Sequence, residues 1–287
     1  MRLWSKSSLL PGTVLRTALG LLSSFVLLSS FGGTATAANV TLDQCANGQS
    51  PTLLSCTANW QHGNLNPNNS QYSEGQSVSF RSGVNVPTGG TYSLTISYLS
   101  TKAGLHTYDY LTSWDGNPNT GDPCAGIIVC SGAPVELSIP LDPNLTIVPI
   151  SNQKIRAYTD GTLTVSNLTA GSYSLSGTYA GTSTTSLVIA FQTNVGGTFV
   201  LAWGGHVADS SPAGWNTASA GTLPGSPYHM SILSTSWGSH NGTGDRSLKV
   251  YNVSPNPALA PTLSKSFTPQ SIALGQASTL SFTVTNP

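Results

Sequence analysis

The stretch TYSLTISYLSTKAGLHTYDYLTSWDG, Thr91 to Gly116, decides the fold. In its first half Tyr92, Leu94, Ile96 and Tyr98 alternate with Ser93, Thr95 and Ser97. Strict period two marks a strand with one face buried. Lys102-Ala103-Gly104 follows as a polar turn. Beyond it Tyr108, Tyr110, Thr112 and Trp114 share one face of a second run, with Thr107, Asp109, Leu111 and Ser113 on the other. Two such runs across a short Gly-containing turn predict a β-hairpin. The hairpin would deliver Asp109 and Asp115 to the start of a polar loop.

Working outward, Val78, Phe80 and Val84 predict a strand that ends near Val86, and Pro87-Thr88-Gly89-Gly90 turns the chain into the hairpin. Further upstream, Leu53 to Trp60 reads as a first strand. HGNLNPNNSQ, His62 to Gln71, is a loop, because Asn, Gly and Pro dominate it and nothing apolar repeats. Downstream, Ile127 to Cys130 and Val135 to Leu141 read as short strands, and Asp142-Pro143-Asn144 as a turn. Between Leu145 and Val207 strand signals are closely spaced: Leu163 and Val165, Tyr173 and Leu175, Leu187 to Phe191, Phe199 to Trp203. Val207 to Pro227 lacks periodicity and reads as a long surface loop, of the length that is usually functional or mobile. Tyr228, Met230 and Ile232 resume the alternation, as do Leu248 and Val250. Short strands at roughly 8–12-residue spacing predict an all-β, antiparallel β-sandwich of jelly-roll or Ig-like type over residues 38–253.

Composition agrees. The chain has 287 residues, only 7% charged, with 30 Gly and 18 Pro. Little charge with much Thr, Val, Tyr and Gly favours strands and turns over helices. Arg2, Lys6 and Arg16 precede or flank the apolar run TALGLLSSFVLLSSF, Thr17 to Phe31, and Ala35-Thr36-Ala37 supplies a small-residue cleavage pattern. Residues 1–37 therefore read as a helical signal peptide, and the apolar run is shorter than the ~20 residues of a spanning helix. The expected location is outside the cell or on its surface, with membrane contact only through an uncleaved leader. Without the leader's basic residues the chain is slightly acidic, which excludes the basic footprint that nucleic acid demands.

An exported chain can oxidise its cysteines. Cys45, Cys56, Cys124 and Cys130 allow three pairings. Cys45–Cys56 and Cys124–Cys130 are favoured because each closes a short loop rich in Gly, Pro, Asn or Ser. No C-x-x-C occurs, and no His stands at ligand spacing from a Cys, which argues against zinc.

The loop Asp115-Gly116-Asn117-Pro118-Asn119-Thr120-Gly121-Asp122 offers oxygens from Asp115, Asn117, Asn119 and Asp122, a set suited to calcium. Thr120 and Gly126 stand where an EF-hand loop needs Gly and Glu, so an Asx-turn loop is the competing reading. Most tryptophans alternate in phase with aliphatics and read as core. Trp60 and Trp215 lie outside that pattern, so they are the residues a carbohydrate-binding module would use. Catalytic signals are scarce. There is no G-x-S-x-G and no H-E-x-x-H, and Glu74 and Glu136 are the only glutamates. His206, His229 and His240 with Asp209 and Asp245 are the groups a hydrolase would have to gather.

SPNPALAP, residues 254–261, is a stiff linker by composition. After it come Lys265-Ser266-Phe267, Pro269, a turn at Gly275-Gln276, and Leu280, Phe282 and Val284 alternating up to Thr285-Asn286-Pro287. This pattern resembles the opening of the Ig-like conserved-repeat domains of unknown function in long bacterial surface proteins. The resemblance implies that residues 262–287 are a partial, truncated Ig-like repeat, and it implies no catalytic residue. The function expected from the whole sequence is a non-enzymatic structural or adhesive module, secreted or on the cell surface, whose partner is a glycan or a surface protein. A carbohydrate-binding module is the alternative and a secreted hydrolase the third reading.

Overall fold

A computed structural model describes residues 39–49, 52–116, 121–238, 244–250 and 262–285. The leader and the 254–261 linker fall outside the described residues. Strands come first as short pieces: β1 (Asn39–Val40), β2 (Asp43–Cys45), β3 (Gly48–Gln49), β4 (Thr52–Leu53) and β5 (Trp60–Gln61). Longer strands follow: β6 (Ser77–Val86), β7 (Gly90–Lys102), β8 (Leu105–His106), β9 (Tyr108–Thr112), β10 (Val135–Ser138), β11 (Lys154–Tyr158), β12 (Val165–Gly177), β13 (Ser183–Thr193) and β14 (Gly197–Val207). The last are β15 (Tyr228–Thr235), β16 (Asp245–Leu248), β17 (Thr262–Thr268) and β18 (Thr279–Thr285).

Two antiparallel sheets pack as a sandwich. One has eight strands, in the order β10-β11-β14-β6-β2-β5, with β1 on β6 and β9 on β14; the other has six, in the order β12-β13-β7-β15-β16, with β8 on β7. Register follows the hydrophobic pattern. Leu94, Ile96 and Tyr92 of β7 face Ile189, Leu187 and Phe191 of β13, and Ile96 faces Ile232 of β15 on its other side. A one-residue slip would turn all of them to the opposite face, so burial locks the pairing. Phe80 of β6 faces Trp203 of β14, and Val84 faces Phe199. Edge-to-face rings then join the layers: Phe191 with Phe199 at 5.0 Å, and Tyr108 with Tyr228 at 5.5 Å.

The expected hairpin is only partly formed. β7 turns back at Ala103 and Gly104, both in the left-handed region, but β8 pairs with it over just Thr101–His106 and Lys102–Leu105. After Thr107 the chain crosses to the other sheet, where β9 pairs with β14. The run 53–60 is not one strand either; a 3-10 turn at Cys56–Ala58 separates β4 from β5. Ile127 to Cys130 forms no strand, and residues 139–153 join neither sheet although they are rich in Ile, Leu, Val and Pro. Apolar content alone marked Ile127 to Cys130 and Val135 to Leu141 as strands; the second holds only as far as Ser138, and the turn expected at Asp142-Pro143-Asn144 is present.

Both cysteine pairs are closed as expected: Cys45–Cys56 with Cα atoms 5.2 Å apart and Cys124–Cys130 at 5.8 Å. Such bonds persist in oxidising compartments. Among the described residues, no helix is long and apolar enough to cross a membrane. Replacing Cys45 and Cys56 together by Ala is expected to cost about 2–3 kcal/mol, through the freedom returned to the unfolded chain. Urea denaturation without reductant reads this, and an unchanged midpoint would contradict it.

β17 and β18 form a sheet of their own. Leu263, Lys265 and Phe267 lie opposite Val284, Phe282 and Leu280, so one face is apolar apart from Lys265, whose Nζ lies 5.6 Å over the Phe267 ring; Ser264 and Ser266 lie opposite Thr283 and Ser281 on the other.

Candidate functional site

A buried polar cluster grows from an irregularity in β9. Leu111 pairs with Gly205 and Tyr108 with Val207, so Asp109 and Tyr110 together stand opposite His206 alone. This is a β-bulge, which re-aims side chains. Tyr108 and Leu111 both enter the core, and Asp109 and Tyr110 both meet His206. Asp109 Oδ1 bonds His206 Nδ1 at 2.8 Å, Asp109 Oδ2 accepts from Trp215 Nε1 at 3.3 Å, and the Tyr110 ring stacks on the imidazole at 4.4 Å. The Gly75 main chain also hydrogen-bonds the imidazole.

Burial sets the electrostatics. It raises the Asp109 carboxyl above its ordinary 3.8, and the facing imidazole and indole N–H temper that rise. Burial disfavours the His206 cation, but the charge and hydrogen bond of Asp109 outweigh it, with help from Asp209, and lift His206 above 6.5. A raised histidine stabilises the fold fully below its unfolded pKa and loses that contribution as pH rises through the folded value. The stability gap between the native chain and His206→Gln is therefore expected to be largest below about pH 6.5 and to shrink on raising the pH. Urea melts at acidic and alkaline pH test this; a gap that widens with pH would contradict it.

The loop after β14 closes over this cluster. Trp215 stacks flat on His106 at 3.6 Å, and Tyr179 meets both rings edge-on. Burial pushes His106 down to about 4, so it stacks as a neutral ring near pH 7. Two hydroxyls of the loop, Ser210 and Ser219, donate to the buried Glu74 carboxylate. Lys249 Nζ caps the Gly221 and Leu223 carbonyls at 2.8 and 2.6 Å. The stretch 207–227, expected to be a surface loop, is thus bolted to the frame; Ala208, Ser210, Ser219 and Ala220 are buried. A run without periodicity hides this, because the fastening is done by single polar side chains from distant positions.

A third buried carboxylate, Asp43 of β2, makes another fastening. Arg81 donates from Nε to Asp43 at 3.0 Å and from Nη1 to the Pro123 and Ala125 carbonyls, while its guanidinium lies 4.7 Å over the Trp60 ring. His62 also bonds Asp43. Trp60 Nε1 donates to Asp122 O at 2.9 Å.

The residues singled out from sequence are distributed as follows. Asp115 pairs with Arg156, and Asp122 accepts from the Cys124 amide at 2.8 Å, an Asx turn; Asn117 and Asn119 lie outside the described residues. Asp122 also sits beside the sulfurs of Cys124 and Cys130, which as a disulfide offer no thiolate to a metal. Trp60 and Trp215 each have a ring face covered, by Arg81 and His106 respectively. His229 pairs with Asp245 at 2.8 Å in the six-stranded sheet, away from His206 in the eight-stranded one, and Asp209 accepts from Ser211. His240 lies outside the described residues. Glu74, His106 and Arg81 were not singled out from sequence. The usable signal was rarity: a lone Glu or Arg inside a stretch nearly free of charge has a buried partner to satisfy.

Compared with known proteins, the chain matches no family model, no curated protein and no solved structure.

Proposed function

We propose that the chain is an exported structural or adhesive module of the cell surface that carries out no reaction of its own. One observation carries this reading. The buried carboxylates Asp43, Glu74 and Asp109 each tie a loop to the sandwich, through Arg81, through Ser210 and Ser219, and through His206 and Trp215. Groups that an enzyme would aim at a substrate here act as fasteners. The two disulfides and the low charge support service outside the cell. The 262–285 hairpin, with its resemblance to repeats of long surface proteins, supports attachment there.

The test is fractionation and protease shaving of intact cells that make the protein. Loss of the chain to external protease is expected. Recovery of a protected, cytosolic chain with reduced cysteines would overturn the reading.

A further inference from the structure

A cavity of about 440 Å³ opens at the side of the sandwich. Tyr110 and Leu111 of β9 and Tyr173 of β12 supply walls from both sheets, and Leu145, Ile147 and Pro149 of the 139–153 strap supply the cover. Its size lies in the ordinary range for small-ligand pockets. Asp142 is the only charged residue that lines it. That side chain is 3% exposed; its Oδ1 accepts from the Asn144 amide and from Asn144 Nδ2, both at 2.9 Å. Its Oδ2 is buried without a hydrogen-bond partner, and among the described residues no cation pairs with Asp142. A carboxylate withdrawn from water with one oxygen unused is costly, and a donor of opposite charge repays that cost.

We propose that this cavity binds an apolar chain bearing a single ammonium group, with Asp142 as its counter-charge. The apolar walls take the chain; Oδ2 has no surface open to the cavity, so a shift of the strap that carries Asp142 brings it to the ammonium proton. Leu141 and Val148 at the mouth are 74% and 94% exposed, so the apolar lining continues outward to meet the rest of the ligand. Access needs no broken sheet. The strap joins no ladder, and its ends are held by Ile139 N to Gln153 O at 3.0 Å and its bend by Leu145 N to Asp142 O at 3.2 Å. A neutral alcohol offers the carboxylate one uncharged hydrogen bond and no opposite charge, and an anionic chain offers a like charge, so both bind more weakly. The inference is independent of where the protein resides.

Calorimetric titration of the full chain with octylammonium, 1-octanol and octanoate tests it. Octylammonium is expected to bind at one site about tenfold or more tightly than 1-octanol, as a charge-assisted bond requires, and octanoate more weakly than either. Asp142→Asn should remove most of the advantage of octylammonium over the alcohol, with the alcohol changing far less. Ser138→Trp, placed at an exposed position on the wall, should weaken both. Equal affinity of the native chain for ammonium and alcohol would overturn the proposal, as would a preference that survives Asp142→Asn or binding that ignores Ser138→Trp. Should Asp142→Asn fail to fold, the native ratio and Ser138→Trp decide.

Discussion

Arg81→Met is expected to destabilise the protein by about 3–5 kcal/mol, the loss seen when one partner of a buried ion pair is removed. Asp43 would remain in the interior with His62 bonded to it and Arg246 as its remaining nearby cation, and the Pro123 and Ala125 carbonyls would lose their donor. The guanidinium also covers the Trp60 ring, so packing is lost along with charge. Adding Asp43→Leu should restore a large part of the loss, because the pair itself costs desolvation that its removal returns. Burial already lowers the Arg81 pKa, with Asp43 opposing, which is the same competition seen from the proton's side. Guanidinium unfolding of the single and double variants measures both effects. A single variant within about 1 kcal/mol of native would show that the network is incidental.

Trp203→Ala is expected to cost about 3–5 kcal/mol, and Trp203→Phe less than about 1.5 kcal/mol. The indole is 0% exposed and stacks on Phe80 at 6.2 Å, so Ala leaves a cavity at the middle of the eight-stranded sheet. The next residues cannot fill it. A Cβ on Gly204 would stand 2.7 Å from Ser113 O, and one on Gly205 would stand 2.7 Å from Met230 Cε. Phe keeps most of the stacking surface, and it removes the indole N–H, which is buried without an acceptor. An unpaired buried donor carries a penalty, so its deletion offsets part of the lost area. Equal losses for Phe and Ala would show that the N–H contributes no such penalty.

These two sites mark what was legible in the sequence. The alternation in β6, β7 and β13 gave the fold class, because their apolar residues recur every second position and face the core, although the polar positions of β6 are covered as well. The Phe80–Trp203 pairing was not legible, since two strands far apart in sequence become neighbours only when the sheet forms. β9 defeated the same logic. Its alternation reads as one buried face, yet Tyr108 to Thr112 are all buried, and the bulge shifts Asp109 and Tyr110 onto His206. The candidate site was legible only in fragments. Asp109 drew attention as part of the central stretch and His206 as one of several histidines, but nothing in spacing joined them. Asp142 read as a turn residue; that it also lines a cavity depends on β12, which arrives from the opposite sheet.

The arrangement of the two sheets has a further consequence, for kinetics. Phe80 must find Trp203, and Ile96 must find Leu187, before either central ladder exists. Chains dominated by such distant pairings fold on the scale of about milliseconds to seconds. During that interval the polypeptide has no fixed tertiary fold, the condition that the export proposed above would require. It also lies open to entanglement with its neighbours where many copies are made at once.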